Sequence, residues 1–155
     1  VYKRQGLAHR WRLRERLTQL LPTASEAHEI SIVLTDIDQF KTINDRHGHL
    51  VGDVILGELG DVLRDAAPNA DIIARYSGEQ FVVLLTAGER HAVALAERIR
   101  KRVKALEFAD GMHLTVSLGV ASADTFIEPS TLLSQGQEAL YAAKAAGRNR
   151  VCLAN

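Results

Sequence analysis

Asp36-Ile-Asp-Gln-Phe-Lys-Thr-Ile-Asn-Asp-Arg-His-Gly-His-Leu-Val-Gly-Asp53 follows directly on Ile30-Ser-Ile-Val-Leu-Thr35, and the junction between the two sets the frame for everything else. The earlier run is β-branched and mostly apolar, the pattern of a buried strand. An acid where such a strand ends is costly to bury unless a cation or a donor meets it. Here Asp36 and Asp38 stand either side of Ile37, and Phe40-Lys41 opens a helix. That layout suits a metal-bound polyphosphate: a carboxylate for Mg²⁺, with helix N-terminal amides and a lysine for phosphate oxygens. A solvated aspartate at a strand end is the plainer alternative.

A second signal lies further along. Asp71-Ile-Ile-Ala-Arg-Tyr76 and Phe81-Val-Val-Leu-Leu-Thr86 are short apolar strands joined by Ser77-Gly-Glu-Gln80, which reads as a β-hairpin. Gly78 is expected to supply a positive φ there, with Glu79 projecting from the tip. If the hairpin lies beside the first strand, Glu79 and Asp36 converge as a carboxylate pair able to hold a divalent metal.

The remaining elements follow from periodicity. Leu7, Trp11, Leu13, Leu17, Leu20 and Leu21 suggest an opening helix within residues 1–22 that stops near Pro22. A second long helix is expected from about Leu50 to Ala67, with Val54, Ile55, Leu59, Val62 and Leu63 at helical spacing. Glu89 to Leu106 is strongly periodic, and a strand is expected over about His113 to Ala121. Ser130 is placed to cap the last helix. Gly147 closes it, and a final strand covers Val151 to Leu153. The order helix, β, α, α, β, β, α, β, α, β contains a βαββαβ core. That is an α+β, ferredoxin-like arrangement, an antiparallel central sheet with flanking helices on one side, as in the palm of nucleotide cyclases and polymerases.

At 155 residues the chain fits one domain, large enough to bury about 70% of its unfolded surface. Its formal net charge is zero, which implies no long-range attraction to nucleic acid or membrane. Charge is uneven all the same: Lys3, Arg4, Arg10, Arg12, Arg14 and Arg16 face only Glu15 in the first sixteen residues. A solvated helix face explains this more simply than a phosphate-binding patch. The single cysteine, Cys152, excludes an internal disulfide, fits a reducing compartment and reads as core. No run approaches the length of a membrane span. The chain starts without Met and within a helical pattern, so it is expected to be one cytoplasmic piece of a larger protein that can itself be membrane-anchored.

Taken together, these residues resemble the GGDEF family of diguanylate cyclases, over nearly the whole chain. Asp36-x-Asp-x-Phe-Lys-x-Ile-Asn-Asp-x-x-Gly-His-x-x-Gly-Asp53 is similar to the family's first long motif, and Arg75-Tyr-Ser-Gly-Glu-Gln-Phe81 occupies its signature hairpin. Thr115-Val-Ser-Leu-Gly-Val-Ala121 resembles its late strand. Ala139-Leu-Tyr-Ala-Ala-Lys-Ala-Ala-Gly-Arg-Asn149 resembles its closing helix.

The resemblance implies that two GTP molecules, one on each subunit of a homodimer, are joined into cyclic di-GMP with release of two pyrophosphates. It implies Mg²⁺ or Mn²⁺ held by Asp36, the Ile37 carbonyl and Glu79. Phosphates would meet the main chain near Gln39 and Phe40, together with Lys41, Lys144 and Arg148. Those last two are placed at i and i+4 of the closing helix. Asn44 and Asp53 would read guanine, His49 would lie near the nucleotide, and Gly78 would line the site. Asp36, Glu79 and Lys144 form the catalytic set, while Asp38 and Asp45 support the loop. Without the resemblance, Lys144 and Arg148 would be ordinary cations at a helix C-terminus. His47 and His49 would be a weak hint of a transition-metal pair. Upstream sensory domains and a downstream phosphodiesterase domain are the expected neighbours.

The match departs from the family at several points. Ser77 and Gln80 stand where the family has Gly and Glu, and Gln80 removes a charge beside the expected cation. Gln137 stands where an Asp is usual. In the product-inhibition motif Arg-x-x-Asp, Pro68 replaces Arg while Asp71 is kept, so product feedback is expected to be lost, with Arg64 one turn earlier a poor substitute. The family's opening motif survives in Gly6, Leu7 and Arg10 but not at Tyr2, Gln5 and His9. Two functions stay open: a diguanylate cyclase of reduced activity, or a catalytically inactive GTP-binding module that regulates a neighbouring domain.

Overall fold

The computed structural model describes residues 8–155. The expectations placed on Tyr2, Lys3, Arg4, Gln5, Gly6 and Leu7 lie outside the described residues. The organising element is β2 (Ile30–Ile37), a strand whose eight residues are all buried. It lies between β4 (Gln80–Leu85) and β5 (Val116–Ala123), antiparallel to both. With β3 (Ile72–Arg75), these make the antiparallel centre β3-β4-β2-β5. Two short strands add parallel edges: β1 (Ala8–His9) beside β3, and β6 (Val151–Leu153) beside β5.

Helices cover both faces of this sheet, not one as the sequence suggested. On one side α2 (Phe40–His47), α3 (His49–Ala66) and α4 (Glu89–Ala105) pack with Val33, Ile37, Phe81 and Val83. On the other, α1 (Arg10–Leu20) and α5 (Pro129–Ala145) pack with Ile32, Leu34, Val82 and Leu84. The reason is in β2 itself: Ile30, Ile32 and Leu34 project from one face and Val33 and Ile37 from the other, and a strand with apolar residues on both faces needs cover on both.

Several helix boundaries and faces also differ from expectation. Trp11, Val54 and Leu106, taken as parts of apolar stripes, are 63%, 54% and 43% exposed. β1 was not foreseen, because two residues show no alternation. α5 starts on Pro129 with Glu128 at its cap, so Ser130 lies inside the first turn. Proline suits that first position because it has no N–H to leave unpaired. α5 ends at Ala145, two residues before Gly147. Gly147 has φ 127° and donates to the Lys144 carbonyl at 3.3 Å, while Arg148 N–H donates to the Ala143 carbonyl at 3.0 Å. That pair of reversed bonds is a Schellman closure, which needs a residue tolerant of positive φ. Cys152 is only half-buried, in edge strand β6.

One contact sets how low α5 rides on the sheet. A Cβ on Gly119 of β5 would lie 2.5 Å from the Gly136 carbonyl oxygen and 2.9 Å from Leu140 Cα. A Cβ on Gly136 would meet Leu34 Cδ1 at 2.7 Å. Two bare backbones therefore touch, and the C-terminal end of α5 is drawn down toward the end of β2. Among the described residues no helix is long and apolar enough to cross a membrane.

Candidate functional site

Asp36 lies at the end of β2, in register with Gln80 of β4 and Ser117 of β5. It is only 4% exposed. Its Oδ2 accepts an ion-pair hydrogen bond from Lys144 Nζ near the end of α5, and its Oδ1 is buried with no partner. Burial raises the carboxyl pKa above its ordinary value, and the Lys144 ammonium opposes that rise. A buried carboxylate oxygen lacking a donor is costly. It is also the oxygen a divalent cation would take.

Glu79 sits in the turn Ser77–Gln80, closed by Tyr76 N–H donating to the Gln80 carbonyl at 2.8 Å. Its pKa is also raised, first by burial, then by the negative charge of Asp36, with Lys144 again opposing. The two acids and the lysine thus share one electrostatic neighbourhood. Gly78 does not adopt the positive φ expected of it. A Cβ there would meet nothing within 4 Å. The turn is therefore closed without a left-handed residue, which is why Ser77 is tolerated, and the bare Gly78 leaves open space over the hairpin. Its carbonyl accepts from Arg75 Nε at 3.1 Å and Nη2 at 2.5 Å, fixing the turn to its own strand.

Asp38 is buried and structural, as expected. It accepts from Thr115 Oγ1 and Ser117 Oγ, both at 2.6 Å, and from Asn149 N–H at 3.0 Å. This anchors the loop between β2 and α2 to β5 and to the turn after α5. Gln39 caps α2 in the left-handed region, with φ 56° and ψ 37°. The first-turn amides of α2 have no partner within the helix, and no acid occupies that turn. Lys41 is exposed there and Asp45 is exposed further along, while Phe40 is 9% exposed and packs into the core.

Asn44 Oδ1 is a second buried atom without a partner. It lies against Gly52 of α3, where any Cβ would collide with it and would stand 3.2 Å from Phe40 Cζ. Asp53 and His49 are exposed on α3, next to that contact and at the helix start. Asn44, His49 and Asp53 thus lie around the α2–α3 junction.

Three expectations need correction or extension. Arg148 is not on the helix with Lys144: α5 has ended, and Arg148 is an exposed residue with φ 65°. The i, i+4 relation therefore fails, because the Schellman turn reverses the chain between them. His47 does not pair with His49; its Nδ1 lies 3.7 Å from Asp110. The two departures Gln80 and Gln137 are one feature. Gln80 Nε2 donates to Gln137 Oε1 at 3.1 Å, and Gln137 Nε2 donates to Gln80 Oε1 at 2.5 Å. Nothing in the sequence connects residues so far apart except that both depart from the same pattern. Among the described residues no group of three or more His, Cys, Asp or Glu is placed to hold a metal. The fit to a cation rests on Asp36 with its bare oxygen, Glu79 nearby and the end of β2 at Ile37.

Asp71 also has a partner the sequence concealed. Arg16 of α1 donates to it bidentately, Nε to Oδ1 at 2.8 Å and Nη2 to Oδ2 at 3.0 Å.

A six-stranded palm-like sheet with a carboxylate pair, a lysine and an open helix N-terminus at one end defines an α+β domain of the nucleotide-cyclase type. Residues 5–150 match the family described as "Diguanylate cyclase, GGDEF domain", and the chain belongs to that family. It is 39% identical over 146 residues to Diguanylate cyclase A of Treponema denticola, covering 91% of this chain and 39% of that protein. It is 39% identical over 127 residues to Diguanylate cyclase DosC of Escherichia coli, covering 79% of this chain and 28% of that protein. The chain thus spans well under half the length of these curated relatives. Among solved structures, the GGDEF domain of DgcB from Caulobacter crescentus in complex with c-di-GMP superposes with TM-score 0.88 at 29% identity, covering 96% of this chain and 91% of that one. The active GGEEF domain of a diguanylate cyclase from Vibrio cholerae gives TM-score 0.84 at 29% identity, with 96% and 98% covered.

Proposed function

We propose that this domain is a diguanylate cyclase, condensing two GTP molecules across a homodimer into cyclic di-GMP and two pyrophosphates, at a reduced rate. The observation that carries the reading is the buried Asp36, half-neutralised by Lys144 and presenting a bare Oδ1 within electrostatic reach of Glu79. Asp36, the Ile37 carbonyl and Glu79 would hold Mg²⁺ or Mn²⁺. Such a cation lowers the pKa of an attacking hydroxyl and neutralises charge on phosphates. The chain's own part is positioning and electrostatics, which dominate phosphoryl transfer.

Lys144 is the residue best placed to exchange partners. Paired to Asp36 when no cation is bound, it is free to meet a phosphate oxygen once a cation takes over that carboxylate. Lys41 and the first-turn amides of α2 receive the phosphate tail, and Gly78 leaves room for close approach. Asn44 and Asp53 face guanine, the buried Asn44 oxygen awaiting an N–H donor. Arg148 meets phosphate from a loop, not from the helix.

One observation favours a second reading. The Gln80–Gln137 amide pair satisfies itself and contributes no charge where a further carboxylate would strengthen cation binding. On that ground the domain would bind GTP without turnover and regulate a neighbour such as a cyclic di-GMP phosphodiesterase domain. Incubating the purified protein with GTP and Mg²⁺, and separating products by chromatography, decides between them. Cyclic di-GMP that disappears in Glu79→Ala supports the cyclase. GTP binding without product, even with dimerisation enforced, rejects it.

A further inference from the structure

Among the described residues, the arginines near the N-terminus, which read as one solvated face, are divided by the fold into three groups. Arg16 is committed to Asp71, and Arg12 to Glu15. Arg10 and Arg14, one helical turn apart on α1, turn instead toward a cavity of about 560 Å³ between α1 and the hairpin. Arg75 and Tyr76 form its far wall, and Ser77 and Gly78 its rim. No Asp or Glu is among the described residues that line it.

The aromatic groups there are unusual for a solvent-facing surface. Trp11 is 63% exposed and borders the cavity. The Arg10 guanidinium lies 4.3 Å from the centroid of the Tyr76 ring, and its Nη2 donates to the Tyr76 hydroxyl at 3.3 Å. Concentrated positive charge, exposed indole and no opposing acid suit a ligand with a flat π-face at one end and phosphate at the other. The volume lies within the range of small-molecule sites. The same wall connects to the hairpin, because Arg75 also holds the Gly78 carbonyl.

We propose that this cavity is a second nucleotide site, distinct from the Asp36–Glu79 site, in which a purine base stacks on Trp11 and phosphate is held by Arg10 and Arg14. Occupancy bears on the Arg75–Gly78 contact and so on the placement of Glu79. The substrate GTP and the product cyclic di-GMP share this chemistry, and the test separates them.

Trp11 is the sole tryptophan of the chain, so its emission reports on this cavity alone. Its indole has a polar, environment-sensitive edge, and with excitation at about 295 nm it is titrated with GTP, cyclic di-GMP, guanosine and inorganic triphosphate without divalent metal. Free N-acetyltryptophanamide corrects for absorbance. Saturable quenching by GTP or cyclic di-GMP is expected, at lower concentrations than by guanosine, with inorganic triphosphate competing. It should persist in the Asp36→Asn, Glu79→Ala double variant and weaken about tenfold in Arg14→Glu, the loss of one charge-assisted contact. Arg14 is exposed on α1, so that variant keeps the fold. Whichever nucleotide quenches at the lower concentration is the natural occupant. Quenching lost in the double variant, or unchanged in Arg14→Glu, overturns the proposal and leaves the cyclase reading standing. Emission that follows protein concentration and ignores nucleotide also overturns it, since a second copy would then cover the cavity. Quenching without GTP turnover would sustain this site while the cyclase reading fails.

Discussion

Lys144 Nζ pairs with Asp36 Oδ2 from 108 residues away, and the other oxygen of that carboxylate is left buried and bare. On the cyclase reading proposed above, the pair is half of a cation site and not a finished structural bridge. Asp36 is nearly sealed, while the Lys144 side chain keeps 38% of its exposure. A lysine in that position can leave.

Lys144→Met should therefore strand a buried charge. The metal-free protein is expected to lose about 1–2 kcal/mol, the value for breaking a buried pair reduced for the solvent around Lys144. Because a cation that binds only the folded state stabilises it, denaturant melts with and without Mg²⁺ at about 10 mM should show the loss largely recovered by the cation. A loss that Mg²⁺ leaves untouched would mean the carboxylate does not receive the ion.

Gln80→Glu should restore charge next to Asp36. At 8% exposure the new carboxylate is costly without a cation, and the metal-free protein should be destabilised by about 1–3 kcal/mol. Mg²⁺ affinity and cyclic di-GMP production should both rise, the latter by about tenfold. Gln137 can still donate its amide to the new acid. If neither affinity nor rate changes, Gln80 is outside the cation's reach and the low-activity argument fails with it.

Acidification should separate these carboxylates from the rest of the protein. Both Asp36 and Glu79 have folded-state pKa values above their ordinary 3.8 and 4.5. The folded protein thus holds protons more tightly than the unfolded chain between those ordinary values and the raised ones. Their contribution to stability falls as pH rises through that window and is recovered as pH falls. Thermal melts without metal, run against the Asp36→Asn, Glu79→Gln variant, should show wild type gaining relative stability from neutral pH down toward about pH 4.5. Mn²⁺ affinity should move the opposite way, since protons compete for the same oxygens. Parallel melting curves would remove the desolvation argument.

Gly119→Ala should act at a distance. The added methyl would strike the backbone of Gly136 and Leu140, and lifting α5 is expected to cost about 1–3 kcal/mol. Because α5 carries Lys144, the Asp36 contact should loosen and GTP turnover should fall more than at Gly52→Ala. That second change displaces Asn44 and presses on Phe40, away from α5, and should raise KM for GTP with smaller effect on kcat. Equal effects on kcat would argue against separate phosphate and guanine regions.

Product feedback through Asp71 should be absent. Pro68 supplies no guanidinium, and Arg16 already occupies both oxygens of Asp71. Asp71→Ala is expected to lower the melting temperature but to leave inhibition by added cyclic di-GMP unchanged. Inhibition that depends on Asp71 would show that Arg16 yields to product.

How much of this was legible varied with the range of the interaction. β2 and the β3–β4 hairpin were readable because their apolar residues are consecutive and their connection is short. The junction at Asp36 was readable because an acid at the end of such a strand needs a reason. Arg148 was misplaced because the i, i+4 rule holds only while a helix continues, and Gly147 ended that helix sooner. Gly78 was given a backbone role it does not have, since a turn of that length closes here without positive φ. Gln80 and Gln137 were each noticed as a departure, but their mutual bond is a tertiary contact between a strand and a helix.

The order of elements, the apolar strand cores and the residue types at the end of β2 and in the hairpin turn were determined by the chain alone, because each depends on neighbours a few positions away. Only the folded sheet decided that helices lie on both faces, that Lys144 rather than Arg148 reaches Asp36, and that Arg16 takes Asp71 while Arg10 and Arg14 are left facing a cavity. Those outcomes depend on strand register and on how closely α5 and α1 approach the sheet. Two glycine backbones in contact set the first of these distances, and a sequence pattern has no means of expressing it.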